Sequence, residues 1–394
     1  MFEKEWDREE LDWILEKSQQ IETPFFLLNE NRLKENVDFL KKKAGADFAV
    51  CFSVKANPWY AVKAAENADY VEVCSHGEWE LCKKQGISAA RIIVGGIYKS
   101  NEELKELVEA RPHRISIESM QQLKQVDKHA SASGIGADIL LRISSGNQFG
   151  MDPDLVIDIL KHQDRFPALR FKGIHFYSGT QKRQEKEIEK DIDLIESVVK
   201  QAKGNFTEIE YGPGVGVSLF QNHDSDEYKS LFFALLNRLQ ALEGQFRIVL
   251  ECGRLLTADT GIYVTEIVDK KINNGRTYYI VDGGIHHLQY YGQIKGQYTP
   301  FIYTGKDNEM TGEKEVTICG ALCTANDVLV RSVHLPEKNP GDRLVFMNAG
   351  AYCVTEGISL FLSRDLPGIV MEKQHELAVL RNHIPSYPLN IKQE

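Results

Sequence analysis

Apolar positions along the chain fall into short β-rich runs separated by stretches with helical spacing. The runs are 48–54 (FAVCFSV), 69–73 (DYVEV), 91–94 (RIIV), 114–117 (RISI), 138–143 (DILLRI), 171–176 (FKGIHF), 207–211 (TEIEY) and 247–251 (RIVLE). Each predicts a strand. Between them stand helix starts. Ser100 with Glu103 forms a capping box ahead of Leu104 and Leu107. Ser119 precedes Met120, Leu123 and Val126, and Asp152-Pro153 supplies an N-cap and a first-turn proline before Leu155, Val156, Ile159 and Leu160. Eight strand–helix units in one series predict an α/β fold closed into a (β/α)8 barrel rather than left as an open doubly wound sheet.

Beyond about residue 262 the texture changes. IYVTEIVDKK, RTYYIVDGG, EVTICG, DRLVFMN and HELAVLRN are β-rich and divided by turns, with one helix expected near 354–362. A mostly β second domain follows from this pattern. At the other end, TPFFLL precedes a helix whose face is Leu33, Val37 and Leu40, and it is a candidate strand for the C-terminal domain. The expected division is a barrel over 31–262 and a β domain built from 1–30 and 263–394.

Composition narrows the function classes. The chain has 394 residues, 42% of them hydrophobic, enough for two domains with substantial cores. No run approaches the ~18 apolar residues of a membrane span. The opening MFEKEWDREELDW is acidic and has no apolar signal core, so a cytoplasmic protein with no membrane role is expected. Lys and Arg number 47 against 57 Asp and Glu, a net charge of −10, which disfavours a nucleic-acid binder yet leaves room for a local anion pocket. The seven cysteines (51, 74, 82, 252, 319, 323 and 353) are odd in number and form no CxxC, so reduced thiols packed as small hydrophobes are expected. The Cys319–Cys323 spacing lacks a second ligand pair, and no metal site is expected.

Barrel chemistry sits at the C-terminal ends of the strands. Those ends carry Lys55 in VKANP, Cys74-Ser75-His76-Gly77-Glu78, Arg142, HFYSGTQ (175–181), GPGVG (212–216) and ECGR (251–254). Glycines in the seventh loop let backbone N–H groups approach an anion, and Arg254 adds a charged donor suited to phosphate. The plainer readings are a tight turn and an Arg254–Glu251 ion pair. A strand-end lysine is ordinarily solvated; partly desolvated, it becomes an amine nucleophile. A phosphate site and such a lysine on one rim suggest pyridoxal phosphate held as a Schiff base, with the Glu251 carboxylate beside the ring nitrogen.

SVKANP, EVCSHGE, GIHFYSGTQ, YGPGVG, ECGR, GALCTAND and NAGAY, in this order, resemble the fold-type III pyridoxal-phosphate decarboxylases. These are relatives of diaminopimelate, ornithine and arginine decarboxylases, with an alanine-racemase-like barrel plus a β domain. The resemblance runs from TPFFLL near residue 23 to the last β segments. It implies Lys55 as the cofactor-bearing lysine, Glu251 as the pyridinium partner, and Gly214, Thr180, Arg254 and Tyr352 as phosphate or cofactor contacts. It also implies Glu72, Arg142 and Tyr177 around the cofactor, and Arg254, Cys323, Thr324, Asp327 and Tyr352 near the substrate. Cys323, delivered by a neighbouring subunit, would return a proton after CO2 leaves, so a homodimer with shared active sites is implied.

Three departures bear on the substrate. Tyr177 stands where the family commonly has a stacking histidine. Thr324 follows the cysteine where an acidic residue often reads a distal amine, and the 282–288 stretch DGGIHHL lacks an Arg-Pro segment that would hold a distal carboxylate. DGGIHHL, GALCTAND and FLSRDLP resemble the branch that includes the butirosin-pathway decarboxylase of carrier-protein-bound glutamate and siderophore-pathway decarboxylases. That branch implies a conjugated amino acid as the small-molecule substrate, either tethered to a carrier protein that delivers it or a siderophore precursor. His286 and His287 read as surface or turn histidines. The alternatives are a racemase on the same fold, in which arginine rather than Glu251 would meet the ring nitrogen, and a non-catalytic pyridoxal-phosphate-binding protein, which would lack the β domain.

Overall fold

The computed structural model describes residues 6–202, 206–240, 245–291, 293–306 and 312–392. Its contacts divide the chain into two compact units. One comprises Lys34–Gly216 and Asp226–Leu255; the other comprises the chain up to Leu33, Val217–Ser225 and Leu256 onward.

The first unit is an eight-stranded parallel barrel. Its strands are Phe48–Ser53, Tyr70–Val73, Ile92–Val94, Arg114–Ile117, Ala137–Ile143, Leu169–Tyr177, Glu208–Gly212 and Arg247–Cys252. Each pairs with the next, and the eighth closes on the first through Cys51 opposite Glu251 and Phe52 opposite Cys252. All eight expected runs are barrel strands. The helices between them begin as the local sequence dictates. Asn101–Ala110 has the reciprocal Ser100–Glu103 box, and Met120–Ser133 and Pro153–Lys161 are capped by Ser119 and Asp152.

Inside the barrel the two-residue strand period sorts side chains into layers. Ala49, Cys51, Tyr70, Ile93 and Val249 form an apolar plug. One step toward the C-terminal ends of these strands come Ser53, Glu72 and Glu251, each two residues past a plug residue. The plug is the floor, and the polar groups that follow are held in fixed register by the sheet.

The second unit is a nine-stranded sheet. Along its main path lie Val328–Pro336, Glu313–Cys319, Arg276–Val281, Gly261–Asn273, Phe25–Asn29, Gly368–Lys373 and Glu376–Arg381. Phe25–Asn29 lies antiparallel to Gly261–Asn273 and parallel to Gly368–Lys373, with every residue buried. TPFFLL is thus a central strand of the C-terminal sheet. Leu11 and Ile14 of helix Arg8–Lys17 pack with Phe25, Leu27, Ile262, Val264, Val345 and Val370 into one core.

Residues 354–362 are not the expected helix. A 3-10 turn at Phe361–Ser363 is all that forms, with Leu362 and Ser363 at φ 59° and 51°. Gly357 lies so close to the His286 carbonyl that a Cβ would overlap it, which holds the segment against the 282–288 loop. Among the described residues no helix is long and apolar enough to cross a membrane.

Candidate active site

Lys55 sits in the single 3-10 turn, Val54–Ala56, that ends the first barrel strand. Its Nζ lies 2.9 Å from Glu72 Oε2, 2.9 Å from Glu251 Oε1 and 3.3 Å from Cys74 Sγ. Ser53 Oγ donates to the same Glu251 oxygen at 2.9 Å. The lysine side chain is 37% exposed while both carboxylates are buried. Lys55 is therefore organised by a carboxylate pair rather than by desolvation alone.

Those two carboxylates cannot both ionise without cost, because they share one buried site. Burial pushes Glu251 up, but the Lys55 ammonium and then His175 outweigh it and hold the group well below the usual carboxylate range. Burial followed by the Glu251 charge raises Glu72 to about 7, against the pull of Lys55. The pair thus has one permanent anion and one proton-exchanging partner near neutral pH.

Behind Glu251 stands His175, fully buried in the barrel. Its Nε2 is 3.3 Å from Glu251 Oε2, within charge-pairing distance though not aligned as a hydrogen bond, and its Nδ1 meets Ser116 Oγ at 2.8 Å. Burial lowers the imidazole, so it is held toward its neutral form. Glu210, the next acid on the lumen side, has both oxygens buried without a hydrogen-bond partner among the described residues and lies 3.9 Å from His175. Burial, then the Glu72 and Glu251 charges, push it well above the usual carboxylate range, toward its neutral form.

The Tyr177 ring lies at the end of the sixth strand. A Cβ on Gly212 would come within 2.7 Å of that ring and 3.1 Å of Glu251 Oε2, so the absent side chain at 212 leaves the ring and the carboxylate side by side. Segment 179–182 runs beside the glycine loop, with Lys182 N–H donating to Gly214 O at 3.0 Å and Gly216 N–H to Lys182 O at 3.0 Å. Gly214 has φ +62°, and a Cβ there would overlap the Gly179 carbonyl. Buried Asp191 accepts from Ser178 Oγ at 2.8 Å, from Tyr211 OH at 2.9 Å and from Lys182 Nζ, which fixes the loop carrying Thr180. Gly214→Ala is expected to cost about 1–2 kcal/mol from its left-handed backbone alone, before the clash. A lowered Tm and faster loss of bound cofactor on dialysis are the checks.

Arg142 is buried and bonded at 2.5 Å to Glu118, whose other oxygen accepts from Gly150 N–H at 2.8 Å. The pair ties down the 144–150 loop. Arg254 is buried at the start of the short helix Arg254–Thr257. The barrel unit thus brings together Lys55, Glu72, Tyr177 and Glu251, with Gly214 and the Thr180 loop beside one another.

The remaining residues expected from sequence lie in the sheet unit. Cys323 is exposed and Thr324 half-buried on the 320–327 loop, and Tyr352 is half-buried at φ 65°. Asp327 ends the same loop and is buried, with Oδ1 accepting from Ile285 N–H at 2.9 Å and Oδ2 from Leu322 N–H at 2.7 Å, and it clasps the 282–288 and 320–327 loops together. His286 and His287 are corrected, being buried rather than on the surface. Burial lowers them to about 3 and about 4, and the His287 ring bonds the Asp365 carbonyl at 2.7 Å.

Sequence reasoning missed Ser53, Ser116, His175, Glu118 and Glu210, and it took Cys74 as packing. The available signal was strand parity: His175 is two residues before Tyr177, and Glu210 two before Gly212.

The donor set fits pyridoxal phosphate: a primary amine, a carboxylate held ionised, an aromatic ring beside that carboxylate, and a glycine loop next to a fixed hydroxyl-bearing segment. Comparison with known proteins agrees. The chain is 27% identical over 393 residues to the L-glutamyl-[BtrI acyl-carrier protein] decarboxylase of Niallia circulans, covering 92% of each chain. It is 28% identical to the 2-[(L-alanin-3-ylcarbamoyl)methyl]-2-hydroxybutanedioate decarboxylase of Staphylococcus aureus, covering 86% of this chain and 91% of that one. The crystal structure of Helicobacter pylori diaminopimelate decarboxylase complexed with L-lysine superposes with a TM-score of 0.81 at 23% identity, over 95% of this chain and 97% of that one. The racemase reading is not favoured by these relatives. The family model described as pyridoxal-dependent decarboxylase, C-terminal sheet domain, matches residues 35–350, and the chain accordingly belongs to the pyridoxal-dependent decarboxylases, carboxy-lyases of amino acids and their conjugates.

Proposed function

We propose that this protein decarboxylates a conjugated amino acid, with the reacting carbon placed over the Lys55–Glu72–Glu251 cluster. The observation that carries the assignment of the centre is the Lys55 amine 2.9 Å from a buried carboxylate that stays ionised. Bound pyridoxal phosphate supplies the electron sink for the pair left when CO2 departs. Lys55 would be the amine that anchors it, Glu251 the carboxylate that would keep the ring nitrogen protonated, and Tyr177 the aromatic ring that would pack against it. Within the barrel unit Gly214, Thr180 and Arg254 would hold the phosphate, and Glu72 and Arg142 would stand around the cofactor. His175 orients Glu251 from behind, with Ser116 fixing the imidazole.

The Cys323 thiol donates the proton that replaces the lost carboxylate at the α-carbon. The site is completed in a homodimer, in which the Cys323 loop of one copy serves the barrel of the other. Two considerations support a conjugate as substrate. Thr324 offers no negative charge to a distal amine. The two curated relatives compared above are named for a carrier-bound glutamyl group and for an amide of a hydroxybutanedioate. A CO2-release screen over lysine, ornithine, diaminopimelate, carrier-linked glutamate and citryl–diamino acid amides tests this; turnover confined to lysine or ornithine refutes it.

Cys323→Ala is expected to keep the visible absorbance of bound cofactor and to lower CO2 release by about 10²–10⁴-fold, the range for removing a positioned proton donor. Unchanged turnover would remove Cys323 from the mechanism.

A further inference from the structure

The FLSRDLP segment supplies a charged group that the catalytic reading does not use. Arg364 follows the left-handed pair Leu362 and Ser363 and is itself extended, at φ −71° and ψ 148°. The backbone on both sides of it is pinned. Ser363 Oγ accepts from Asn390 Nδ2 at 2.8 Å, and the Asp365 carbonyl accepts from the buried His287 at 2.7 Å. From this fixed base the guanidinium reaches the 320–327 loop, where Nη2 donates to Ala321 O at 2.8 Å.

Ala321 is two residues from Cys323. Arg364 is exposed, and among the described residues no carboxylate lies within ion-pair distance of it. The nearby acid, Asp327, has each oxygen engaged by a backbone N–H. Its carboxyl and the His286 imidazole both feel the Arg364 charge without neutralising it. The loop that bears the exposed thiol therefore presents one neutral hydroxyl, Thr324, and one uncompensated guanidinium with four N–H donors beyond the one given to Ala321.

We propose that Arg364 is the specificity-determining residue for a carboxylate on the part of the substrate distal to the reacting carbon. A planar guanidinium fork matches a carboxylate in two parallel hydrogen bonds, whereas it repels a terminal ammonium. The substrate class is then an amino acid conjugated to an acid that keeps at least one free carboxylate. This inference rests on the reading that the Cys323 loop faces the reacting carbon.

The test uses the cofactor-loaded protein and two probes that share one reacting end. They are the amide of citrate with the side-chain nitrogen of 2,3-diaminopropionate, and the corresponding acetamide, which has no distal carboxylate. Kd is read from the change in cofactor absorbance on titration, and KM and kcat from CO2 release. The wild-type protein is expected to bind the citryl probe at least tenfold more tightly than the acetyl probe. Arg364→Gln weakens the citryl probe roughly 10- to 100-fold, as expected for a charge-assisted pair, and leaves the acetyl probe within twofold. The loss falls on KM rather than kcat. Arg364→Lys, which retains the charge without the fork, recovers part of it. Equal wild-type affinity for the two probes, or an Arg364→Gln effect that is the same on both, overturns the proposal. Cys323→Ala run in parallel separates the two readings: full turnover in that variant sinks the placement of the loop, whereas its loss together with an indiscriminate Arg364→Gln sinks only the carboxylate assignment.

Discussion

Lys55→Ala is expected to fold, to remain colourless when mixed with pyridoxal phosphate, and to incorporate no label on borohydride reduction. Decarboxylation should fall by at least ~10²–10⁴-fold, since the amine proposed to anchor the cofactor is gone. Folding survives for a reason visible in the site. The lysine side chain is more than one third exposed, and Glu72, already raised to about 7, takes up a proton when the ammonium is removed. The two buried carboxylates then carry one charge between them, with Ser53 still donating to Glu251. Retained absorbance and retained borohydride labelling in this variant would sink the cofactor assignment of Lys55.

Glu251→Gln is the second large effect. The substitution keeps the shape and the Ser53 contact but removes the carboxylate that the Lys55 ammonium holds ionised. Turnover is expected to fall by ~10²–10³-fold, the range for losing one preorganised electrostatic partner of developing charge. Lys55 still forms its linkage, so the visible band persists, which distinguishes this variant from Lys55→Ala. Glu72 should titrate at lower pH in the variant: burial, its first cause, remains, but the negative neighbour that is its second cause has gone. A pH titration of the cofactor-free variant, followed by the infrared band of the Glu72 carboxyl, reads that shift. A variant with wild-type kcat would show that the ring nitrogen does not depend on Glu251.

How much of this was legible beforehand follows from which interactions are local. The Ser100–Glu103 box, the Ser119 cap and the Asp152-Pro153 start are contacts within a few residues, and the chain folds as they dictate. The eight strand runs carry enough β-branched and apolar residues to be read singly, and their number in series favours closure. Residues 354–362 misled because Val354, Ile358 and Phe361 have helical spacing, while the approach of Gly357 to His286, a distant neighbour in sequence, decides the backbone. Asp327 shows the same dependence on distant neighbours: its two oxygens are taken by N–H groups of two different loops, a clasp that no local pattern announces.

The sequence by itself determined the barrel strands, their helix caps, the positions of Lys55 and Glu251 at strand ends, and the order of motifs that places the chain in its family. These depend on periodicity and on neighbours a few residues apart. The tertiary structure alone decided the electrostatic pulls and the alliances: that Glu251 is held toward its ionised form and Glu72 pushed up, that His175 and Ser116 stand behind Glu251, that Glu210 is pushed toward its neutral form, and that Arg364 reaches the Cys323 loop. Each of these is set by burial and by charges on strands or loops far apart in the chain, and burial is a property that only the closed fold confers.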